Sequence, residues 1–194
     1  MTARQWMDDG TALVLERLAV LTDAQLDEPT ALPGWTRKHV VAHLHFNALG
    51  LQRLVAWAAT GVETPMYPSA QARAEQIEDG THLPAAQLRS AIATSAADLA
   101  AALDALDPAA SAAIVVTNSG RRLPAAEIPW MRAREVWIHG VDLGVATFDD
   151  MPTEFLVALV TETAGRRAES GEGPGLAAWL IGRQQSAPTL GPWL

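Results

Sequence analysis

Glu135 and His139 stand four residues apart, a spacing that stacks two side chains on one face of a helix and lets them reach a common point. His39, His43 and Asn47 repeat that spacing earlier in the chain. Imidazole nitrogen and carboxylate oxygen suit a divalent ion, and two facing helices of a bundle can aim such groups at one interior site. Two or three ligands from these groups would leave a coordination position for water or substrate, as a catalytic site requires. Zn²⁺ is the first expectation for this donor set, with Fe²⁺, Mn²⁺ and Ni²⁺ left open. Asp142, seven residues after Glu135, falls on roughly the same face and is a candidate to orient a ligand.

The competing interpretation makes His43 and His139 hydrogen-bonded core histidines and pairs Glu135 with Arg132 or Arg134 on a solvated face. Local composition favours the metal. Glu135 and His139 sit among Trp137, Ile138 and Val141, and His43 among Val40, Val41, Leu44 and Phe46, so these polar groups are expected to be partly buried and to need partners. Arg73, Arg134 and Arg183 are candidates to hold a substrate carboxylate, which a guanidinium binds bidentately. With Asn47, Arg73 and Arg134 form the expected substrate-binding set. The chain has no cysteine, so disulfides, thiolate metal sites and a protein-borne thiol nucleophile are excluded. Any thiol chemistry must bring its sulfur on a small molecule.

Helices are expected to position these residues. Trp6, Leu13, Val14, Leu18 and Leu21 recur near helical spacing and predict a first helix over about residues 2–24. Thr36 is a candidate N-cap for a long helix carrying His39, His43 and Asn47, with Gly61 placed to end it. A short helix near 69–79 and a third long one from about Ala85 to Leu106 follow, with Pro108 expected to close the latter. Residues 112–122 fit either a short strand and turn or a crossover loop, and the loop is favoured. A fourth long helix starts near Pro129 and runs to Gly144. A helix near 153–168, the segment SGEGPG and a short helix LAAWLIGR complete the chain.

The 194 residues are 49% apolar and 19% charged, enough for one main core and unlike a disordered chain. Abundant Ala and scarce strand-type alternation predict an all-α protein. A net charge of −8 without a basic run offers no footprint for nucleic acid or an anionic membrane surface. MTARQWMDDG lacks the basic start and apolar stretch of a signal peptide, and no run of eighteen apolar residues occurs, so a cytoplasmic protein is expected.

Four blocks carry a family resemblance: LPGWTRKHVVAHLHFNALGLQRLVAWAATG, TPMYPS, R-x-x-x-I-E-D-G and EIPWMRAREVWIHGVDLG. In this order, over about residues 30–145, they resemble the mycothiol-dependent maleylpyruvate isomerases. The resemblance implies a DinB-like four-helix bundle over residues 1–148 and a short, reduced C-terminal appendage over 149–194. It implies a divalent metal, zinc first, on His43, Glu135 and His139, with His39 a neighbour, and a catalytic arginine that the W-L-x-G-R segment places at Arg183. In relatives the C-terminal region is a small mixed α/β domain, whereas AESGEGPG replaces most of its strand-forming sequence here. The implied cofactors are the metal and mycothiol, and the implied substrate is a small electrophilic carboxylate acted on by a monomer or homodimer. The implied activity is a cis–trans isomerisation by thiolate addition and elimination. The alternatives are a mycothiol-dependent S-transferase acting on another electrophile and a noncatalytic DinB-like binding module.

Overall fold

The computed structural model describes residues 1–191, and the chain divides into two compact units, Met1–Asp150 and Met151–Leu194. The first unit opens with α1 (Ala3–Ala19), capped by Thr2, whose hydroxyl accepts from the Gln5 backbone while the Gln5 side chain accepts from the Thr2 N–H. The helix expected to reach residue 24 stops at Ala19. Thr22 forms a second capping box with Gln25 and starts a separate short helix, α2 (Asp23–Leu26), because its hydroxyl serves the backbone better as a cap than inside a helix.

Next comes α3 (Arg37–Thr60), closed by Gly61 at φ 73°, a left-handed position that suits glycine. His39 acts at its start: the Thr36 N–H donates to His39 Nδ1 at 3.1 Å. Ser69 caps α4 (Ala70–Thr81), and α5 (Ala85–Asp104) follows. Pro108 does not close α5. It occupies the first turn of another short helix, α6 (Pro108–Ala112), where its missing N–H costs little and where Asp107 caps the Ala110 N–H at 2.7 Å.

The segment favoured as a loop is instead a hairpin, with β1 (Ile114–Val116) antiparallel to β2 (Arg122–Pro124) and Val115 opposite Leu123. Each strand buries a single residue, Val115 or Leu123, which is too short an alternation to stand out in the sequence. The hairpin packs these two side chains onto a core cluster with Leu51, Leu54 and Leu99. A 3₁₀ turn then leads into α7 (Ile128–Asp142), with Pro129 in its first turn.

The four long helices α1, α3, α5 and α7 build the bundle: α3 packs on α5 and α7, and α1 on α7 and α5, with α4 laid against α3. A Cβ at Gly10 would lie 2.8 Å from both Trp137 Nε1 and Val136 Cγ2, so α1 and α7 approach closely only because that position has no side chain. The all-α four-helix bundle expected from the sequence is the fold observed, with the hairpin as its one small sheet among the described residues.

In the second unit α8 (Thr153–Arg167) runs into a wide π-type turn over Ala168–Glu172, and α9 (Gly173–Leu180) follows. Gly171, at φ 97°, makes that turn possible. Glu172 fastens the unit internally, accepting from Arg167 Nη1 at 2.7 Å and from the Gly191 N–H at 2.6 Å. Among the described residues, no helix is long and apolar enough to cross a membrane.

Candidate metal centre

His43 on α3 and His139 on α7 converge on one oxygen of Glu135. His43 Nε2 lies 2.8 Å and His139 Nε2 3.5 Å from Glu135 Oε2, and the imidazole rings meet edge to face at 4.6 Å between centroids. One ligand atom from each residue lies within 4.8 Å of the others, a grouping able to hold a metal ion. The His139 ring is held from behind, with Nδ1 2.8 Å from Asp142 Oδ2. A carboxylate on the far nitrogen of a histidine fixes the ring orientation and raises its basicity, a common support for a ligating imidazole.

Behind His43, Arg73 Nη2 on α4 donates to Nδ1 at 3.1 Å. A guanidinium cannot accept, so in this arrangement the His43 proton sits on Nε2 and is donated to Glu135. The Arg73 guanidinium also lies over the Tyr67 ring, 5.8 Å from its centroid. Trp35 walls the other side, its ring 5.7 Å from that of His43.

Burial dominates the His43 ionisation and keeps its pKa below the ordinary value, against the pull of Glu135. Burial would raise the pKa of Glu135, but hydrogen bonds from His139 and His43 together outweigh it and hold the carboxyl well below the usual range. For His139 burial is again the largest influence and acts downward, yet Asp142 and Glu135 overcome it and push the pKa up to about 9. At neutral pH the centre therefore offers a carboxylate and a neutral His43. Glu135 keeps 28% of its side-chain surface exposed, so the donors remain reachable.

The family model for the mycothiol maleylpyruvate isomerase N-terminal domain matches residues 7–144, most of this chain and all three converging residues. The protein belongs to that family. The crystal structure of the mycothiol-dependent maleylpyruvate isomerase is 41% identical, superposes with a TM-score of 0.86, and is matched over 89% of this chain and 72% of that one. A histidine-to-alanine mutant of the mycothiol-dependent maleylpyruvate isomerase gives a TM-score of 0.85 at the same identity and coverage. YfiT from Bacillus subtilis, described as "a probable metal-dependent hydrolase with an unusual four-helix bundle topology", shares the fold at a TM-score of 0.56 and 16% identity, over 74% of this chain and 81% of that one. No curated protein gives a significant match.

Within this maleylpyruvate isomerase family member, the structure brings His43, Glu135, His139 and Arg73 together. Glu135 engages the two histidines, and Arg132 bonds α3 instead. Arg134 lies over the Trp130 ring, 5.9 Å from its centroid. Asn47 directs its Oδ1 to Arg132 Nη1 at 2.8 Å. Arg183 is exposed in the turn after α9 in the second unit. His39 is not in the cluster: its Nδ1 serves the start of α3 and its Nε2 faces Glu78 at 3.3 Å.

Sequence reasoning assigned no role to Tyr67 or Trp35, and it considered Arg132 only as a partner of Glu135 on a solvated face, whereas Arg132 is buried. Tyr67 lies in the block TPMYPS, where a lone aromatic between prolines was the available signal. Burial raises its phenol pKa, with Arg73 acting in the opposite direction. For Arg132 the signal was its spacing of three before Glu135, mirrored across the helix pair by Asn47 four after His43.

Proposed function

We propose that this protein is a mycothiol-dependent cis–trans isomerase of the maleylpyruvate type whose divalent metal, zinc first, is held by His43, Glu135 and His139. The convergence of both imidazoles on Glu135 Oε2, with Asp142 behind His139, carries this proposal. The 41% identity to a mycothiol-dependent maleylpyruvate isomerase supports the chemistry. Residues 1–148 would form the metal-binding domain and 149–194 a shortened C-terminal region supplying Arg183.

A divalent ion in this donor set would hold a bound thiol as thiolate at neutral pH, which supplies the nucleophile that a chain without cysteine lacks. His43, with burial keeping it neutral, offers Nε2 as a ligand atom. With a metal on that nitrogen, His43 would carry its proton on Nδ1 and would no longer accept from Arg73. The Arg73 guanidinium is then available to a substrate carboxylate, above the Tyr67 ring. The bound thiol would supply the nucleophile that turns the conjugated cis double bond into a rotatable single bond, and it would leave again as thiolate when the trans double bond forms, so that no thiol is consumed. Arg183 is proposed to hold a carboxylate or stabilise the enolate charge, with Arg134 and Asn47 as further substrate-side candidates.

The test combines elemental analysis of the purified protein with a maleylpyruvate assay in the presence and absence of mycothiol. Near one metal per chain, with trans product formed and mycothiol not consumed, is the expected result. A stable mycothiol conjugate would instead identify an S-transferase. A protein that binds no metal after reconstitution would be a noncatalytic bundle.

A further inference from the structure

Arg132 is 1% exposed in the interior of the bundle, and its charge is met by no carboxylate hydrogen bond among the described residues. Nη1 donates to the Leu44 carbonyl and to Asn47 Oδ1, both at 2.8 Å, and Nε has no partner among the described residues. Burial lowers the guanidinium pKa to about 10, with Glu135 and Tyr67 acting in the opposite direction. An apolar side chain of similar volume would fill the space without the cost of desolvating a cation, so packing alone does not account for an arginine here.

The two acceptors lie on the turn of α3 that follows His43, and Arg132 lies one turn before Glu135 on α7. A step forward along α3 from His43 to Asn47 is matched by a step back along α7 from Glu135 to Arg132, and both rungs are closed by 2.8 Å contacts. We propose that Arg132 and Asn47 form a positioning clamp that sets the separation of α3 and α7, and with it the geometry in which His43 and Glu135 present their donor atoms to the metal. This clamp rests on the metal centre proposed above. It assigns Asn47 a task through Arg132 rather than through the substrate.

The direction of the effect separates a clamp from a charge. A cation near a divalent ion repels it, so if Arg132 acted only through its charge, removing it would tighten metal binding. Removing a clamp loosens the helix pair and weakens metal binding. Arg89 provides a matched control away from this site: it is also an interhelical clamp, bonding Leu18 O, Leu21 O and Asp23 from α5.

The experiment is a Zn²⁺ titration against a competing chelator on the metal-stripped full chain, with thermal unfolding recorded in parallel. Arg132→Met and Asn47→Leu are each expected to weaken Zn²⁺ binding about 10–100-fold, the usual scale for an outer partner of a metal site. The double variant is expected to be no weaker than the worse single one, because both remove the same link. Arg89→Met is expected to lower the unfolding temperature while shifting Zn²⁺ affinity by no more than about two-fold. Unchanged or tighter binding in Arg132→Met, or fully additive losses, would overturn the clamp. Should Arg132→Met not fold, Asn47→Leu decides alone, and unchanged affinity there overturns it equally. A parent protein that binds no Zn²⁺ would sink the metal centre itself, an outcome distinct from a parent that binds and variants that bind as well.

Discussion

His43 and His45 lie two residues apart on α3, and burial lowers the pKa of both, yet their surroundings differ in kind. His43 faces Glu135, His139 and Arg73, all ionisable and supplied by α4 and α7. His45 points to the neighbouring α5, where Nδ1 lies 2.9 Å from Ser95 Oγ and the Ala91 backbone acts against the effect of burial on its pKa. Gln52, seven residues on, makes a parallel link to the Ser95 carbonyl at 2.8 Å. The same side chain thus serves a candidate reaction centre on one face of the helix and fastens two helices on the other. What separates them is whether the facing element brings charge and a second donor.

Removing a donor from the metal face of α3 should have the largest effect. His43→Ala should weaken Zn²⁺ binding by more than the roughly 10–100-fold that losing an outer partner costs, and abolish isomerisation, with helical content retained. Metal content after dialysis and circular dichroism together check it, and a variant that keeps stoichiometric metal would place His43 beside His45 as a structural histidine.

Removing the support behind a ligand should do less. Asp142→Asn keeps the shape but loses the charge that holds His139 Nδ1 at 2.8 Å, and about 10–100-fold weaker metal binding is expected. Chelator competition reads it directly. A shift no larger than about two-fold would reduce the Asp142 contact to a surface pairing.

The centre also predicts a pH dependence of stability in metal-stripped protein. His139 has a folded pKa of about 9, raised above its ordinary value, so the stabilisation is complete below the unfolded pKa near 6.5 and is lost as pH rises through 9. Urea unfolding between pH 6 and pH 9.5 should therefore show stability falling across the upper part of that range. His139→Gln should remove this part of the slope, whereas a slope identical in His139→Gln would assign it to other groups.

Most features with local causes were legible in the sequence, and features set by distant packing were not. The span of α3 between Thr36 and Gly61, and the pairing of Glu135 with His139, follow from spacing and cap residues within a few positions, so they were legible. The hairpin was not, because burying Val115 against Leu123 depends on the long-range core that receives them. The burial of Arg132, considered in the sequence only as a solvated partner of Glu135, was illegible for the same reason. Its environment is set by Leu44 and Asn47 on another helix, and composition alone makes an arginine a surface residue. The break between α1 and α2 was missed although its cause is local, since Thr22 and Gln25 form a capping box that the apolar pattern through Leu21 masks.

The smallest effect is expected on the other face of α3. His45→Leu removes a partner of Ser95 Oγ, and Ser95 is 2% exposed. Ser95 retains the Ile92 carbonyl at 3.2 Å as an acceptor, so the loss is partial. Leaving a buried polar group short of a partner costs about 1–3 kcal/mol, offset in part by the apolar leucine, and a modest drop in unfolding temperature should result. Zn²⁺ affinity and turnover should stay at the parental values, because the hydrogen bond of His45 goes to Ser95 on α5 and not to Glu135 or His139. If His45→Leu lost metal while keeping its fold, the two faces of α3 would be coupled, and Arg132, whose charge acts on His45 as well as on Glu135, would be the first residue to test as the link.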